Sequence, residues 1–308
     1  MPARGLLALG LVVMLAATAV AVAAFTATST NPSTAFRAAS SFPGMRVATG
    51  AYVGNLLDDR AITTVGFRPD VVIIKGHGLV PGAIRSSTMS GDATKEVAPA
   101  SATGLAANLI QSLDSNGFTL GSSDRVNALL VTYSWIALRA QQNKLKVGSY
   151  TGNGTSRAIT GMGFSPEYVA VLGAGAQRAV ERFAGMGRTY QFDSDNGSTT
   201  RITSLDSDGF TVGSDATTNS NGATYHYVAL NDAAGNVKVG SYSGNNVDNR
   251  NVTGVGFAPD YVTIRAGNTT GSPRIAMHRA RRAWVVSRPA QPCDADPRRA
   301  HTARDRGP

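Results

Sequence analysis

The chain has 308 residues, 29 Lys and Arg against 20 Asp and Glu, a formal charge of +9, and a single cysteine, Cys293. One cysteine excludes an intrachain disulfide, so stability must come from apolar cores, which a chain of this length can build. The positive balance would suit nucleic acid, but eight Arg against three Asp from Arg279 to Pro308 leave 8 − 3 = +5 in that stretch; elsewhere no basic stripe is interleaved with aromatics, and no nucleic-acid partner is expected.

Residues 1–24 read as an export signal. Arg4 gives a positive start, Leu6 to Val22 is an unbroken apolar run, and Ala21-Val22-Ala23 is a small-x-small cleavage pattern. Cleavage is the expected outcome; a membrane association follows only if the segment is retained as an anchor. Residues 25–45, rich in Ser, Thr, Ala and Pro, read as a flexible linker.

From there one phrase occurs three times. Tyr52-Val53-Gly54-Asn55 leads to Gly66-Phe67-Arg68-Pro69-Asp70, Tyr150-Thr151-Gly152-Asn153 to Gly163-Phe164-Ser165-Pro166-Glu167, and Tyr242-Ser243-Gly244-Asn245 to Gly256-Phe257-Ala258-Pro259-Asp260. The Phe offsets, 164 − 67 = 97 and 257 − 164 = 93, set a repeat of a little under a hundred residues. The repeats are placed at 46–140, 141–233 and, in part, 234–278.

Each full copy reads as short strands. Lys146 to Tyr150 is the first in copy two, closed by the turn Gly152-Asn153-Gly154, and a short strand around Ala158-Ile159 follows. Copy one has Leu56 and Leu57 where a second turn glycine is wanted, so its first turn is expected to be looser. Proline in Gly-Phe-x-Pro cannot donate to a ladder and marks the approach to the next strand, Val71–Lys75 or Tyr168–Leu172. Val71-Val72-Ile73-Ile74 implies a strand covered on both faces. The middles diverge, sharing little beyond Arg85/Met89 and Arg182/Met186. Similarity returns at Leu113-Asp114-Ser115-Asn116-Gly117-Phe118 and Leu205-Asp206-Ser207-Asp208-Gly209-Phe210, a tight turn opening a half-buried strand. Copies close on Tyr133-Ser134-Trp135-Ile136-Ala137-Leu138 and Tyr225-His226-Tyr227-Val228-Ala229-Leu230. Alternation places Tyr, the second aromatic and Ala on one face, and Ile or Val with Leu on the other. No stretch from Arg46 to Arg265 carries a capped helical period, so an all-β fold of tandem antiparallel β-sandwiches is expected, two complete and one truncated. A propeller fits less well, because the repeat is about twice a blade.

Together these motifs resemble an uncharacterised domain of bacterial secreted proteins and phage tail or virion proteins, often in tandem. The resemblance covers about Arg46 to Met277 and implies a lectin-like, jelly-roll binding or structural module, with no catalytic residues to transfer.

Chemistry is sparse. There is no Gly-x-Ser-x-Gly elbow, zinc-binding histidine pair or phosphate loop, and His226 aligns with Ser134, so neither a catalytic residue nor a cofactor is expected. Asp206 and Asp208 are calcium candidates, but Asp-x-Asp-Gly serves the turn alone, and the turn is preferred. Asp193 and Asp195 have similar chemistry without a counterpart in copy one. Arg60, Arg157 and Arg250 stand seven residues before the motif Phe in every copy. Pairing with Asp70, Glu167 and Asp260 is preferred for them over recognition of an acidic sugar. Tyr190 is the clearest loop aromatic, the kind of side chain a glycan would stack on. The expected function is therefore a secreted, non-enzymatic binding module for a surface polysaccharide or cell-envelope component. A structural spacer of a fibre or surface layer comes second and a hydrolase third.

Copy three keeps the pattern to Arg274-Ile275-Ala276-Met277 and then breaks to Arg279-Ala280-Arg281-Arg282 and a Pro, Arg, Ala and Asp mixture. The stretch 279–308 is expected to be a basic tail, disordered from about Ser287. So abrupt a change inside a repeat is what a shifted reading frame or truncated gene produces. The early strands of copy three are then left with open edges unless they dock on copy two.

Overall fold

The computed structural model describes residues 45–77, 81–97, 102–192, 195–232 and 236–265, and the backbone of a short strand at 278–279. The expected signal, Asp193 and nearly all of the tail lie outside the described residues. The chain divides into Met1–Gly44 and Met45–Pro308, and everything below concerns the second unit.

The first repeat forms β1 (Arg46–Val53), β2 (Arg60–Ile62), β3 (Val71–Gly76), β4 (Gly82–Ser86), β5 (Thr94–Val97), β6 (Leu105–Ala106), β7 (Ile110–Asp114), β8 (Gly117–Leu120), helix α1 (Asp124–Asn127) and β9 (Thr132–Arg139). The second forms β10 (Leu145–Thr151), β11 (Arg157–Ile159), β12 (Tyr168–Gly173), β13 (Val180–Phe183), β14 (Tyr190–Gln191), β15 (Ile202–Asp206), β16 (Gly209–Val212), helix α2 (Ala216–Asn219) and β17 (Thr224–Leu230). Strand positions follow the sequence reading closely. The two four-residue helices were not foreseen, being too short to carry a period.

Each repeat is one antiparallel sandwich. Its large sheet runs β1-β9-β3-β4-β5-β6 in the first copy and β10-β17-β12-β13-β14 in the second. Small three-stranded sheets, β2-β8-β7 and β11-β16-β15, cover one face. The chain enters and leaves each module along paired strands: β1 lies beside β9, and after both cross to the other sheet β2 lies beside β8. That winding is jelly-roll-like. Both copies also carry a bulge at one place, between Ile110 and Ser112 and between Ile202 and Ser204.

The core between the two sheets of the first module contains Val72, Ile74, Phe118, Leu120, Tyr133 and Trp135. Its counterpart contains Val169, Val171, Phe210, Val212, Tyr225 and Tyr227. Gly50 and Gly148 let the closing aromatic lie flat on the first strand. A Cβ there would stand 2.3 Å from the Trp135 or Tyr227 ring. Close approach, rather than conformational freedom, explains why Gly-x-Tyr recurs.

A third core was not anticipated. Val71, Ile84, Ile136 and Leu138, on the outer face of the first large sheet, pack with Leu172 and Val228 from the outer face of the second. The two sandwiches are thus fused face to face into four layers, small-large-large-small. This accounts for strands covered on both sides, including Val71-Val72-Ile73-Ile74. Polar contacts tie the seam. Leu105 N–H donates to Ala174 O at 2.9 Å, and Lys95 Nζ to Gly175 O at 3.1 Å, with burial pulling the Lys95 ammonium down to about 8.

Copy three is only partly as expected. Lys238 to Tyr242 forms no strand and is exposed except for the half-buried Val239, whereas β18 (Tyr261–Val262) pairs with β19 (His278–Arg279). The fragment does dock on the second module: Tyr261 packs on the shared core, and Arg265 reaches Glu181 Oε1 at 2.5 Å. Burial pushes the Glu181 carboxyl up, while Arg265 and the Tyr168 hydroxyl work to keep it ionised.

His226 lies in the seam, buried, with Nδ1 2.8 Å from Thr88 Oγ1 of the other module. Burial lowers its pKa. The unfolded chain therefore binds the extra proton first, so this contribution to stability is complete above about pH 6.5 and is lost as pH falls below it, toward the folded value. The urea midpoint should drop between pH 7.5 and 5.5, and His226→Ser, the residue of the first module at this position, should remove part of that drop. An unchanged pH dependence in the variant would place the titration elsewhere.

Candidate functional site

The most ordered polar feature of each module is at the far end of its first strand. Asn127, the last residue of α1, is fully buried. Its Nδ2 donates to Leu57 O at 2.8 Å and Gly121 O at 3.1 Å, and its Oδ1 accepts from Asn55 N at 3.0 Å and Arg60 Nη1 at 3.1 Å. Every hydrogen-bonding position of the amide is used. Asn219 repeats this in the second module, donating to Gly213 O at 2.8 Å and to Thr155 O, and accepting from Asn153 N at 2.9 Å. Two tyrosines brace each helix. Tyr52 and Tyr150 donate to Val126 O and Thr218 O, both at 2.6 Å, and stack on Tyr133 and Tyr225, which donate to Asp124 O and Ala216 O. Burial raises the Tyr52 and Tyr150 hydroxyls well above the usual range, so they stay protonated donors.

The three aligned arginines belong to this assembly. Arg60 Nη1 donates to Val53 O and Arg157 Nη1 to Thr151 O, both at 2.7 Å, and Arg250 Nη1 donates to Ser243 O. Each guanidinium lies over the tyrosine preceding that carbonyl, 4.9 Å from Tyr52, 5.9 Å from Tyr150 and 5.2 Å from Tyr242. The expected pairing with Asp70, Glu167 and Asp260 is not what forms. The Asp70 carboxylate accepts instead from Ala140 N at 2.7 Å. The arginine closes the end of the first strand and its turn. Arg85 and Arg182, noted as shared, also bond to backbone carbonyls: Arg85 donates to Ala93 O and Ile110 O, Arg182 to Ile202 O.

The other candidates do not converge. Tyr190 is not a loop aromatic: it sits on β14, 4 % exposed, with Arg265 over its ring. Asp195 accepts from Arg201 and from the N–H groups of Gln191 and Gly197. Burial opposes its charge, but these donors hold the carboxyl below its ordinary value. Asp206 accepts from Thr211 Oγ1 at 2.8 Å. Asp208 accepts from Gly163 N at 2.6 Å and Gly161 N at 3.0 Å, and those donors lower its pKa. The two carboxylates serve separate turns, and among the described residues no three His, Cys, Asp or Glu groups are gathered as for a metal ion.

What differs between the copies is the surface of the tip built on the asparagine. Leu56 N donates to Asn127 O and Leu130 N to Gly54 O, as Gly154 N does to Asn219 O and Gly222 N to Gly152 O. The match makes Leu56 and Leu130 the counterparts of Gly154 and Gly222. All four have left-handed backbones, with φ of 61° and 62° for the leucines and 73° and 75° for the glycines. The first turn of copy one is therefore not looser; it keeps the glycine geometry with a leucine in it, at a cost of order 1 kcal/mol each. Both leucines are exposed, 48 % and 80 %, beside Val53, Leu57 and Leu129 at 50 %, 63 % and 58 %. The second module has Thr151, Thr155 and Asn221 in the corresponding places.

Two signals could have shown this region. Asn127 and Asn219 each stand nine residues after the strand Phe, 127 − 118 and 219 − 210, and Leu129-Leu130 faces Asn221-Gly222 in the same alignment.

A domain family described as a domain of unknown function, DUF7483, matches residues 140–240, which is the second module and the start of the third repeat. No curated protein and no solved structure matches the chain significantly.

Asn127→Ala should destabilise the first module by about 3 kcal/mol, since it strands several buried donors and acceptors at once. Urea denaturation reads this, and Asn219→Ala should act alike in the second. Leu130→Gly should move the other way, raising stability by about 1 kcal/mol, because it relieves a leucine that is held in the left-handed region and is 80 % exposed. A loss of stability would mean the exposed side chain is held by contacts of its own.

Proposed function

We propose that the protein is an exported, non-enzymatic binding module for a surface polysaccharide or another cell-envelope polymer, in line with its resemblance to modules of secreted and tail proteins. The observation that supports this is one scaffold, duplicated in detail, whose copies differ in the mid-module loops and in the exposed side chains of the strand-end tip. Functional variation on a rigid framework is carried by such loops. The second module's tip offers Thr151, Thr155 and Asn221, exposed hydroxyl and amide groups suited to a hydroxyl-rich ligand. Arg60, Arg157 and Arg250 are engaged with backbone carbonyls and tyrosine rings and Tyr190 is buried, which favours the exposed tip as the contact surface.

Immobilised chain should retain at least one polysaccharide or envelope fraction on a glycan array or in pull-down, and a Thr151→Ala, Thr155→Ala, Asn221→Ala combination should weaken that retention severalfold. These exposed changes leave the buried asparagine network intact. Retention that ignores the combination would move the site elsewhere, and no retention on any polymer would remove the reading.

A further inference from the structure

The third repeat holds the first half of a module, and its sister copies show what the second half supplies. In them the first strand pairs only with the closing strand, β1 with β9 and β10 with β17. The second strand pairs only with the Phe strand, β2 with β8 and β11 with β16. Residues 266–308 contain neither a Leu-Asp-x-Asp/Asn-Gly-Phe turn nor a closing Tyr strand. Among the described residues β18 has one neighbour, the strand that follows it, where β3 and β12 also have the closing strand.

This half is shaped but not covered. It aligns with copy one at a single offset, 242 − 52 = 264 − 74 = 190. Its turn already has the sister geometry: Asn245 Oδ1 accepts from Val247 N at 3.2 Å as Asn55 Oδ1 does from Leu57 N, and Arg250 lies over Tyr242. Yet Tyr242 and Val252 are 44 % and 47 % exposed, and Phe257, Val262 and Ile264 are only half-buried. Their counterparts Tyr52, Ile62, Phe67, Val72 and Ile74 all lie in the first core. Two glycines locate the missing piece. A Cβ on Gly50 or Gly148 would strike the closing aromatic ring at 2.3 Å, and one on Gly54 or Gly152 would strike Ala128 O or Ser220 O at 1.9 or 2.1 Å. Gly240 and Gly244 stand at the same places, and a Cβ on either would meet nothing within 4 Å. Copy three thus keeps the seats for a ring and for a backbone carbonyl.

A second copy of the chain does not fit these seats. Its own second halves are committed, with Phe118, Phe210, Tyr133 and Tyr225 fully buried in its two cores. Two third repeats meeting face to face would set glycine against glycine and bring no ring. We propose that the third repeat is an acceptor for the second half of such a module, supplied by a different polypeptide through strand addition. The donor's closing strand lies antiparallel to Lys238–Tyr242 with an aromatic ring over Gly240, and its Phe strand pairs beside Arg250–Val252. Pairing of this kind also covers the open edges and the apolar face of the fragment. The proposal does not rest on the polysaccharide reading.

The probe is a fluorescein-labelled synthetic peptide with the sequence of Ser204 to Leu230, the second half of module two. The full chain should bind it saturably and one to one by fluorescence anisotropy, and hydrogen exchange should slow across Lys238–Val252. Tyr227→Ser in the peptide and Gly240→Val in the chain should each weaken binding at least tenfold, the first by removing the ring and the second by filling its seat. Gly240 lies outside the two complete modules, so an unchanged urea midpoint and far-UV spectrum in the variant separate a blocked seat from lost folding. Absence of saturable binding overturns the proposal, as does binding indifferent to both substitutions. Slow exchange at Lys238–Val252 in the chain alone, at every concentration, assigns the cover to the chain itself. Slow exchange that appears only as the chain is concentrated assigns it to a second copy. Either result also overturns strand addition by a different polypeptide.

Discussion

A single buried amide sets the shape of each module. Asn127 or Asn219 ends a helix of four residues that has too few internal hydrogen bonds to stand alone. Asn127 ties the turn after the first strand, 70 to 72 residues back in sequence, to its own helix and to the loop after the Phe strand. A buried polar group of this kind is costly when partly satisfied and strongly directing when complete, and here it is complete. The tyrosine pair and the arginine are arranged around it, which is why Tyr, Gly, Asn and Arg recur at fixed distances in the sequence. They form a clamp for the chain's crossing between sheets, so their recurrence reflects architecture before ligand.

The second constraint is the seam. A sandwich with a small three-stranded sheet on one side leaves most of its large sheet uncovered, and each module resolves this with the other. The tandem arrangement is then a requirement of burial and not only a means to avidity. The asymmetries between the copies fall where the seam needs them. β6, which among the described residues is reduced to the single bridge Thr189–Ser198 in the second module, carries the backbone bond to Ala174, and His226 replaces a serine where Thr88 arrives from the other side. Copy three adds its own contact through Tyr261 and Arg265 without building a sandwich.

Much of this was legible from the residues. The alternation in Tyr133-Ser134-Trp135-Ile136-Ala137-Leu138 gave both faces correctly: Tyr133, Trp135 and Ala137 are in the inner core, Ile136 and Leu138 in the seam. The β-branched run at Val71 announced a doubly covered strand, though not that the second cover is another module. Side-chain partners were not legible. Arg60 could be seen to serve the motif, but the choice between a nearby carboxylate and a strand carbonyl depends on how the turn folds back, which spacing does not encode. Tyr190 misled because the strand around it is two residues long. Asn127 was readable only by aligning the copies, where it stands nine residues after the strand Phe, because one polar residue has no period of its own.

The same clamp explains how the tips can diverge. The hydrogen bonds that fix the tip are made by backbone groups, the buried amide, the arginine and the turn asparagine, so the side chains of Val53, Leu56, Leu57, Leu129 and Leu130 carry no part of the framework. A position that asks for glycine can then accept leucine at a bounded cost, because the surrounding bonds overdetermine the left-handed backbone and the side chain projects into solvent without displacing anything. Substitution at these sites is nearly free of consequence for the core, which is the condition under which a repeated scaffold can give its copies different surfaces. It also makes the five aliphatic residues informative. Neither packing nor hydrogen bonding in the module calls for them, two of them weaken it, and what they offer is available only to something outside the sandwich.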